Sequence, residues 1–262
     1  MLALNKIYNI DCLEGMKDID DKSIDLIFTD LPYQVTHNSW DIIIPFEPMW
    51  EQFERIIKDN GAIILFSQDK FTAKLVLSNE KIHRYNLIWD KVLPSGFLNA
   101  NNQPLRSHED ICVFYKNLGT YNPQMIKGNK CHTRGKAVGM SSNDVSAQLN
   151  YGAYNLVETE GDLKYPTSIL TFQKPHPSIA IHPTQKPLDL CKYIIRTYSN
   201  KGDVVLDCCC GSGTIPLAAK LEDRQFIGMD NGYCSKVGSE YDGKSWVDIT
   251  NMRLKNTRKK LF

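Results

Sequence analysis

Hydrophobic and polar positions in the first 115 residues predict buried strands that alternate with amphipathic helices. In residues 46–59, apolar side chains recur at three- and four-residue spacing, which is typical of a helix with one buried face, and Asn60-Gly61 is predicted to end it. Short apolar segments between polar turns indicate buried strands. By these criteria we predict strands at residues 23–29, 61–67, 86–89 and 111–115, and a second helix at residues 69–77.

The same alternation returns near residue 187, where Leu190, Ile194 and Tyr198 share one face of a predicted helix. The elements predicted after it are a strand at 204–207, a helix at 214–221 and a strand at 225–229. Together these elements predict an α/β fold, a Rossmann-like and mostly parallel sheet with helices on both faces. Between the two halves, residues 116–181 are rich in Gly, Asn, Ser and Pro and predict an inserted lobe or a set of loops.

Composition excludes several classes of protein. The chain has 262 residues, of which 42% are hydrophobic and 23% are charged, as in ordinary globular proteins. No apolar run approaches the ~18 residues of a membrane helix, and the first residues lack the pattern of a secretory signal. The eight cysteines include no CxxC pair, so we expect reduced thiols rather than disulfides or zinc ligands. We therefore expect a cytoplasmic protein without a membrane segment or a metal.

Charge is unevenly distributed along the chain, although the net charge is only +1. Residues 116–143 contain no acidic residue and five basic ones, which are Lys116, Lys127, Lys130, Arg134 and Lys136. Residues 249–262 also contain five basic residues and no acidic one, and they are predicted to form a basic C-terminal tail. Basic segments of this kind can contact DNA phosphates, although ordinary solvated lysines produce the same pattern.

A Gly-rich turn follows the strand predicted at residues 204–207. After Asp207, the sequence CCCGSGT passes through Gly211 and Gly213 into a helix. The two glycines leave room for a ligand against the main chain, and the N–H groups of the following helix face that space. Asp230 ends the next strand, 23 positions after Asp207, which is near the ~20 expected for a carboxylate that binds ribose hydroxyls. The pattern suggests a nucleoside cofactor, although the third glycine of the dinucleotide fingerprint is lacking.

The tetrapeptide Asp30-Leu31-Pro32-Tyr33 directly follows the strand predicted at residues 23–29. Asp30 offers a carboxylate acceptor, and Pro32 favours an extended Leu31, which restricts the direction of the Leu31 carbonyl. Tyr33 adds a flat apolar face. Two acceptors beside an aromatic ring suit an exocyclic amino group on a planar base, although a plain proline-containing turn is the simpler interpretation of the tetrapeptide alone.

Five segments in this order resemble motifs of the amino-group DNA methyltransferases of the β group. They are Asn9-Ile10-Asp11-Cys12-Leu13-Glu14, Asp30-Leu31-Pro32-Tyr33, Ser107-His108-Glu109-Asp110, His182-Pro183-Thr184-Gln185-Lys186-Pro187 and the turn from Asp207 to Thr214. The chain departs from the family pattern at Leu31, where Pro is usual, at Cys209, where Phe is usual, and at Asp230, where Glu is common. The resemblance spans about residues 5 to 232.

The resemblance implies a class I methyltransferase fold in permuted order and methyl transfer from S-adenosylmethionine to N6 of adenine in double-stranded DNA. The implied catalytic residues are Asp30, Leu31, Pro32 and Tyr33. The implied cofactor-binding residues are Asp11, Thr184, Lys186, Asp207, Cys209, Gly211, Ser212, Gly213, Thr214 and Asp230. The expected DNA-binding residues are Lys116, Lys127, Lys130, Arg134 and Lys136. Outside these sets, we expect His108 and Glu109 to be structural, Trp89 to lie in the core and Lys91 on the surface.

The implied organisation is a catalytic half at residues 1–115, a target-recognition insertion at 116–181, a cofactor-binding half at 182–248 and the tail at 249–262. Three alternatives stay open. They are methylation of N4 of cytosine, a nicotinamide-dependent oxidoreductase, and a DNA-binding relative without activity. A homodimer is left open, and the sequence identifies neither the recognition site nor a restriction-enzyme partner.

Overall fold

A computed structural model describes residues 2–35, 41–128, 162–176, 178–235 and 239–257. The chain divides into two compact units, one formed by Met1–Asn122 with Ser168–Phe262 and the other by Pro123–Thr167. Lys130, Arg134 and Lys136 lie outside the described residues. None of the described helices combines the length and the apolar character that a membrane span needs.

Strands and helices alternate through most of the larger unit. The strands of the two units are β1 (Lys6–Tyr8), β2 (Ile24–Thr29), β3 (Ile57–Ser67), β4 (His83–Ser95), β5 (Arg106–Phe114), β6 (Ile126–Lys127), β7 (Leu163–Lys164), β8 (Ile169–Thr171), β9 (Val204–Asp207) and β10 (Gln225–Met229). The α-helices are α1 (Cys12–Lys17), α2 (Phe46–Ile56), α3 (Asp69–Ser78), α4 (Leu188–Tyr198), α5 (Thr214–Leu221) and α6 (Trp246–Asn256). In the smaller unit, β6 pairs antiparallel with β7.

The main sheet has the strand order β1-β10-β9-β2-β3-β5-β4-β8, in which β5 runs antiparallel to its neighbours. This mixed but mostly parallel sheet confirms the predicted α/β fold class. The central strands β2 and β9 are parallel neighbours in the sheet, although β2 begins at Ile24 and β9 only at Val204. The chain continues from β2 towards β3 on one side and from β9 towards β10 on the other. Such a switch point is where α/β sheets bind ligands, beyond the carboxyl ends of the strands.

Each face of the sheet is covered by helices because successive strand residues point to opposite sides. In β2, Leu26 and Phe28 pack with residues of α4 and α5, whereas Ile27 packs with residues of α1 and α2. Both sets are almost fully buried. This burial on two faces explains why the strands have continuous apolar sequences rather than alternating ones.

The predicted end of the helix at residue 59 is wrong, because α2 ends at Ile56 and β3 begins at Ile57. Ile57 is buried and pairs with Ile24 of β2, while Lys58 Nζ lies 2.6 Å from Asp25 Oδ1. Gly61 therefore does not stop a helix. It lies in the strand, where an added Cβ would be 2.8 Å from the backbone oxygen of Asp25.

Two predicted boundaries also shift. Residues 168–181 belong to the larger unit, and β8 within them pairs with β4. Residues 249–256 of the predicted tail instead belong to α6, which begins at Trp246 and continues to Asn256, and residues 258–262 lie outside the described residues. Ser245 caps this helix, since its hydroxyl oxygen accepts a hydrogen bond from the Asp248 N–H.

Candidate active site

Two loops meet at the carboxyl ends of β2 and β9. Asp30 follows the last residue of β2, and the Gly-rich turn follows Asp207, the last residue of β9. The hydroxyl of Thr29 donates a hydrogen bond of 2.8 Å to Asp207 Oδ1 and so joins the two strand ends. Both loops line one cavity of about 870 Å³. The structure thus brings together the two segments that were predicted to carry the chemistry.

The Asp30 loop is held from both sides. The Tyr33 hydroxyl donates a 2.5 Å hydrogen bond to Asp30 Oδ1, and the Tyr33 ring packs 4.8 Å from the ring of Phe71. The Asp41 carboxylate accepts hydrogen bonds from the backbone N–H groups of residues 33, 34 and 35 at 2.8 to 2.9 Å. Leu31 is buried in the core and also lines the cavity. The position of the Asp30 carboxylate is therefore well defined before any substrate binds.

A buried charge row extends from Asp30 into the cavity wall. We use this name for Asp30, Lys186, Glu109 and Lys91. Lys186 Nζ pairs with Asp30 Oδ2 and lies 3.6 Å from Glu109 Oε2, while Lys91 Nζ lies 3.2 Å from Glu109 Oε1. The signs alternate along the row, which offsets the cost of burying each charge. The expectation that Lys91 lies on the surface is wrong, because only 3% of its side chain is exposed.

The charges of the row and their burial shift the pKa values of both Lys186 and Asp30. Burial lowers the pKa of Lys186, but Asp30 and Glu109 raise it more, so the net shift is upwards. Burial raises the pKa of Asp30, and the charge of Lys186 opposes that shift without cancelling it, so the net shift is also upwards. Lys186 is also predicted to help bind the methionine part of the cofactor; in the structure it lines the cavity and its ammonium pairs with Asp30.

The Gly-rich turn is organised by Asp230. Its Oδ2 accepts a 2.7 Å hydrogen bond from the Gly211 N–H, and its Oδ1 accepts one of 2.8 Å from the Gly232 N–H. Gly211 and Gly213 have φ angles of +47° and +76°, in the left-handed region that favours glycine. At Gly211 an added Cβ would lie 3.6 to 3.9 Å from atoms of the His182 ring, an ordinary van der Waals distance, and Gly211 also lines the cavity.

Helix α6 packs against the carbonyl side of this turn. That contact was not predicted from the sequence. The Thr250 hydroxyl donates a 3.1 Å hydrogen bond to the Gly211 carbonyl, and the Arg253 guanidinium donates to the Ser212 carbonyl. Trp246 packs edge-on against His182, with 4.6 Å between the ring centroids. Because α6 occupies the carbonyl side of the turn, the opposite side is left to the cavity. The helical spacing of the apolar residues Trp246, Ile249 and Leu254 in the sequence is the signal that could have identified a packed helix.

The remaining predicted cofactor residues also line the cavity. Asp11 caps α1 by accepting a 2.9 Å hydrogen bond from the Leu13 N–H, and it lines the cavity as well. The Thr184 hydroxyl lies 3.0 Å from His182 Nδ1. Burial, followed by the charge of Lys186, lowers the pKa of His182 to about 4. The other lining residues from the predicted set are Cys209, Ser212 and Thr214.

Of the predicted DNA-binding residues, the structure describes Lys116 in the larger unit and Lys127 in the smaller one. Lys116 follows β5 and lies at the opposite end of the sheet from Asp30, with its Nζ 3.4 Å from Glu54 Oε2. Lys127 is exposed on β6 of the smaller unit. Lys130, Arg134 and Lys136 fall outside the described residues.

The protonation state of the buried Asp207 carboxyl group can be tested through its effect on stability. Burial raises the pKa of Asp207 to about 8, although the Thr29 hydroxyl and the Cys209 N–H donate to its carboxylate. In the unfolded chain an aspartate loses its proton near pH 4. Between these pH values the native state binds more protons than the unfolded state, so the free energy of unfolding falls as the pH rises.

We therefore expect Asp207→Asn, which keeps an acceptor oxygen but cannot ionise, to remove this slope. Denaturant unfolding should show the wild type losing up to about 1.4 kcal/mol per pH unit relative to the variant, between about pH 4 and pH 8. Parallel stability curves for the two proteins would contradict a neutral Asp207 in the native state.

A family model described as DNA methylase matches residues 24–236, which include both loops and the charge row. The chain belongs to the DNA methylase family. Among relatives, the Type II methyltransferase M1.MboII of Moraxella bovis is 26% identical over 257 residues, covering 88% of this chain and 93% of the relative. The DNA adenine methyltransferase YhdJ of Escherichia coli (strain K12) is 27% identical over 246 residues, with coverages of 88% and 78%.

Solved structures show the same fold. The crystal structure of an M1.HpyAVI-SAM complex matches this DNA methylase with a TM-score of 0.61 and 21% identity, over 95% of this chain and 98% of the other. The family assignment replaces the alternative of a nicotinamide-dependent oxidoreductase. It also accounts for the order of the motifs, with the Asp30 loop preceding the Gly-rich turn in the chain but adjoining it in the sheet.

Proposed function

We propose that this DNA methylase transfers a methyl group from S-adenosylmethionine to N6 of an adenine that has been extruded from double-stranded DNA. The observation that carries this proposal is the shared cavity, in which the acceptors of the Asp30 loop face the same space as the Gly211 turn. A transfer between two bound substrates requires this convergence, because much of the rate comes from aligning the reacting atoms.

The residues around the turn fit a nucleoside cofactor. A cavity of about 870 Å³ is within the range of small-molecule sites, and its walls combine apolar side chains with a few polar groups. Asp230 would bind the ribose hydroxyls, since each of its oxygens has a lone pair beyond the backbone hydrogen bond it accepts. The backbone from Gly211 to Thr214 would pass along the methionine part. Bound S-adenosylmethionine supplies an electrophilic methyl group.

The Asp30 loop would activate the amino group of the target base. The lone pair of that nitrogen is delocalised into the ring, so the group is a weak nucleophile. Hydrogen bonds from the amino N–H groups to Asp30 and to the Leu31 carbonyl favour a tetrahedral nitrogen. As the N–C bond formed and the bond between the methyl group and the cofactor sulfur broke, positive charge would develop on the nitrogen beside the Asp30 carboxylate, which would stabilise it and accept the departing proton. Tyr33 would stack on the base.

Adenine is proposed over cytosine for two reasons. Aspartate occupies position 30, where serine is usual in relatives that methylate N4 of cytosine, and the similar YhdJ is named an adenine methyltransferase. The test is incubation of genomic DNA with the protein and S-adenosylmethionine, followed by mass spectrometry of nucleosides and mapping at base resolution. We expect N6-methyladenine in one sequence context. N4-methylcytosine would support the alternative acceptor, and unmodified DNA would support a relative that binds DNA without methylating it.

The insertion is proposed to recognise the target sequence. Within this region the structure describes residues 116–128, 162–176 and 178–181, with Lys127 exposed on β6, and the proposal is supported by the acid-free basic stretch at residues 116–143. Lysine and arginine there would contact phosphates, which fix the register of the protein on the duplex.

We further propose that Lys186 acts on Asp30 rather than on the cofactor. Replacing Lys186 by Gln would leave Asp30 and Glu109 without the ammonium between them, and one carboxylate would take up a proton. Because Asp30 must be ionised to accept the amino group, we expect methylation by Lys186→Gln to fall most at acidic pH and to recover partly at alkaline pH. Lys186→Arg, which keeps the charge, should retain more activity.

The two roles of Lys186 are separated by measuring the pH dependence of kcat and the cofactor Kd for both variants. A cofactor Kd weakened about tenfold or more, with an unchanged pH profile, would instead assign Lys186 to the methionine carboxylate.

A further inference from the structure

The hairpin between β4 and β5 projects from the catalytic edge of the sheet and carries exposed apolar side chains at its tip. Its base is marked by Ser95 and Arg106, which are register partners and both line the active-site cavity. At the tip, Phe97 is 79% exposed and Leu98 is 99% exposed. Two adjacent apolar side chains of this size are unusual when both are exposed on a protein surface.

Hydrogen bonds hold the base of the hairpin in place, so its tip stays exposed to solvent. Lys174 Nζ donates hydrogen bonds of 3.0 Å to Ser95 Oγ and 3.1 Å to the Pro94 carbonyl, and the Arg106 guanidinium donates to Gln68 at 2.5 Å. Gly96, with φ of +88°, begins a short 3₁₀ helix at Phe97–Asn99. The Asn99 N–H donates a 2.9 Å hydrogen bond to the Gly96 carbonyl, which closes this turn.

The chemistry of the loop suits the interior of a duplex. Residues 92–105 contain no charged side chain, in a chain of which 23% is charged. Four exposed amides, at Asn99, Asn101, Asn102 and Gln103, follow the apolar pair. Apolar side chains enter DNA between base steps, and amides donate and accept at base edges. An acidic group, which would repel the phosphates, is lacking throughout this segment.

We propose that Phe97 and Leu98 enter duplex DNA beside the target and occupy the space that the extruded base leaves. This inference rests on the proposed function, since only a base drawn into the Asp30 cavity creates that space. Unpairing and unstacking the target costs a few kcal/mol, and contacts of the wedge with the remaining bases would offset part of that cost. The hairpin would thus act on the opening of the duplex rather than on methyl transfer itself.

The test compares Phe97→Ala/Leu98→Ala with Leu77→Ala/Leu118→Ala. The control removes two apolar side chains that are 73% and 79% exposed and lie towards the opposite end of the sheet. Each protein is assayed on a duplex containing the mapped site, and on the same duplex with an abasic position opposite the target. A third duplex carries 2-aminopurine at the target, whose fluorescence rises when the base leaves the stack.

For the hairpin variant we expect kcat/KM to fall about tenfold or more on the paired duplex, and less than about threefold opposite the abasic site, where extrusion costs little. The 2-aminopurine signal should fall as well, while the control variant behaves like the wild type. Unchanged activity on the paired duplex would overturn the proposal. An equal loss on both duplexes, or a change in oligomeric state by sedimentation, would overturn it in favour of a structural role or a contact between copies. Wild-type methylation of the same duplex reports separately on the proposed function.

Discussion

Asp30→Ala is expected to abolish methyl transfer while leaving cofactor binding nearly intact. The substitution removes the carboxylate that would accept the amino group and stabilise its developing charge. Removing one such group from a catalytic site typically lowers kcat by about 10²- to 10³-fold. The cofactor Kd should change by less than about fivefold, or 1 kcal/mol, because the Gly-rich turn is held by Asp230 and α6. Single-turnover transfer from labelled cofactor and calorimetry measure the two quantities.

Asp30→Asn is the matched variant, since it keeps the size of the side chain and one carbonyl acceptor. It also keeps a partner for the Tyr33 hydroxyl, so the loop should stay in place. We expect Asn to retain more activity than Ala but far less than the wild type, because the charge is lost. Transfer by the alanine variant at the wild-type rate would remove Asp30 from the mechanism.

Gly213→Ala is expected to disrupt the cofactor-binding turn. The φ angle of +76° is strained for alanine, and the new Cβ would lie 2.5 Å from Thr250 Oγ1 and 2.8 Å from Thr250 Cβ. The backbone strain costs about 1–2 kcal/mol, and the overlap with α6 adds about 1–3 kcal/mol. Since turn and helix must separate, we expect the cofactor Kd to weaken about tenfold or more, together with a loss of thermal stability.

The Gly243→Ala variant separates the cost of backbone strain from the cost of overlap with α6. This glycine has nearly the same φ angle, +73°, but an added Cβ would meet nothing within 4 Å. It should therefore show the backbone cost without the effect on cofactor binding. Combining Gly213→Ala with Thr250→Ala should recover part of the affinity, because Oγ1 and Cγ2 of Thr250, which both clash with the added Cβ, are removed. Equal cofactor affinities for Gly213→Ala and Gly243→Ala would contradict the packing of α6 against the turn.

Much of the fold follows from local sequence. Val204–Asp207, Thr214–Leu221 and Gln225–Met229 have the bounds predicted from the sequence, because an apolar strand, a glycine turn and an amphipathic helix follow one another without ambiguity. The prediction at residues 57–60 was wrong because Ile57 fits both a helical face and a strand. Its pairing with Ile24, a long-range contact, decides between them. Tertiary pairing commonly overrides such local preferences.

The sequence motifs of the candidate site could be predicted, but the contacts between their side chains could not. The order of the motifs implied that the Asp30 loop and the Gly211 turn cooperate, and the adjacency of β2 and β9 supplies the physical reason. The pairing of Lys186 with Asp30 joins residues 156 positions apart, and periodicity carries no information about such a contact. The same holds for Thr250 and Arg253, whose hydrogen bonds to the turn depend on where α6 packs.

A crystal structure with target DNA and an unreactive cofactor analogue tests the central claim most directly. We predict an adenine turned out of the duplex, with its amino nitrogen within hydrogen-bonding distance of Asp30 and the Leu31 carbonyl. The analogue should lie along the turn from Gly211 to Thr214, with its methyl position directed at that nitrogen. A target base that remains stacked, or an analogue bound outside this cavity, would contradict the account.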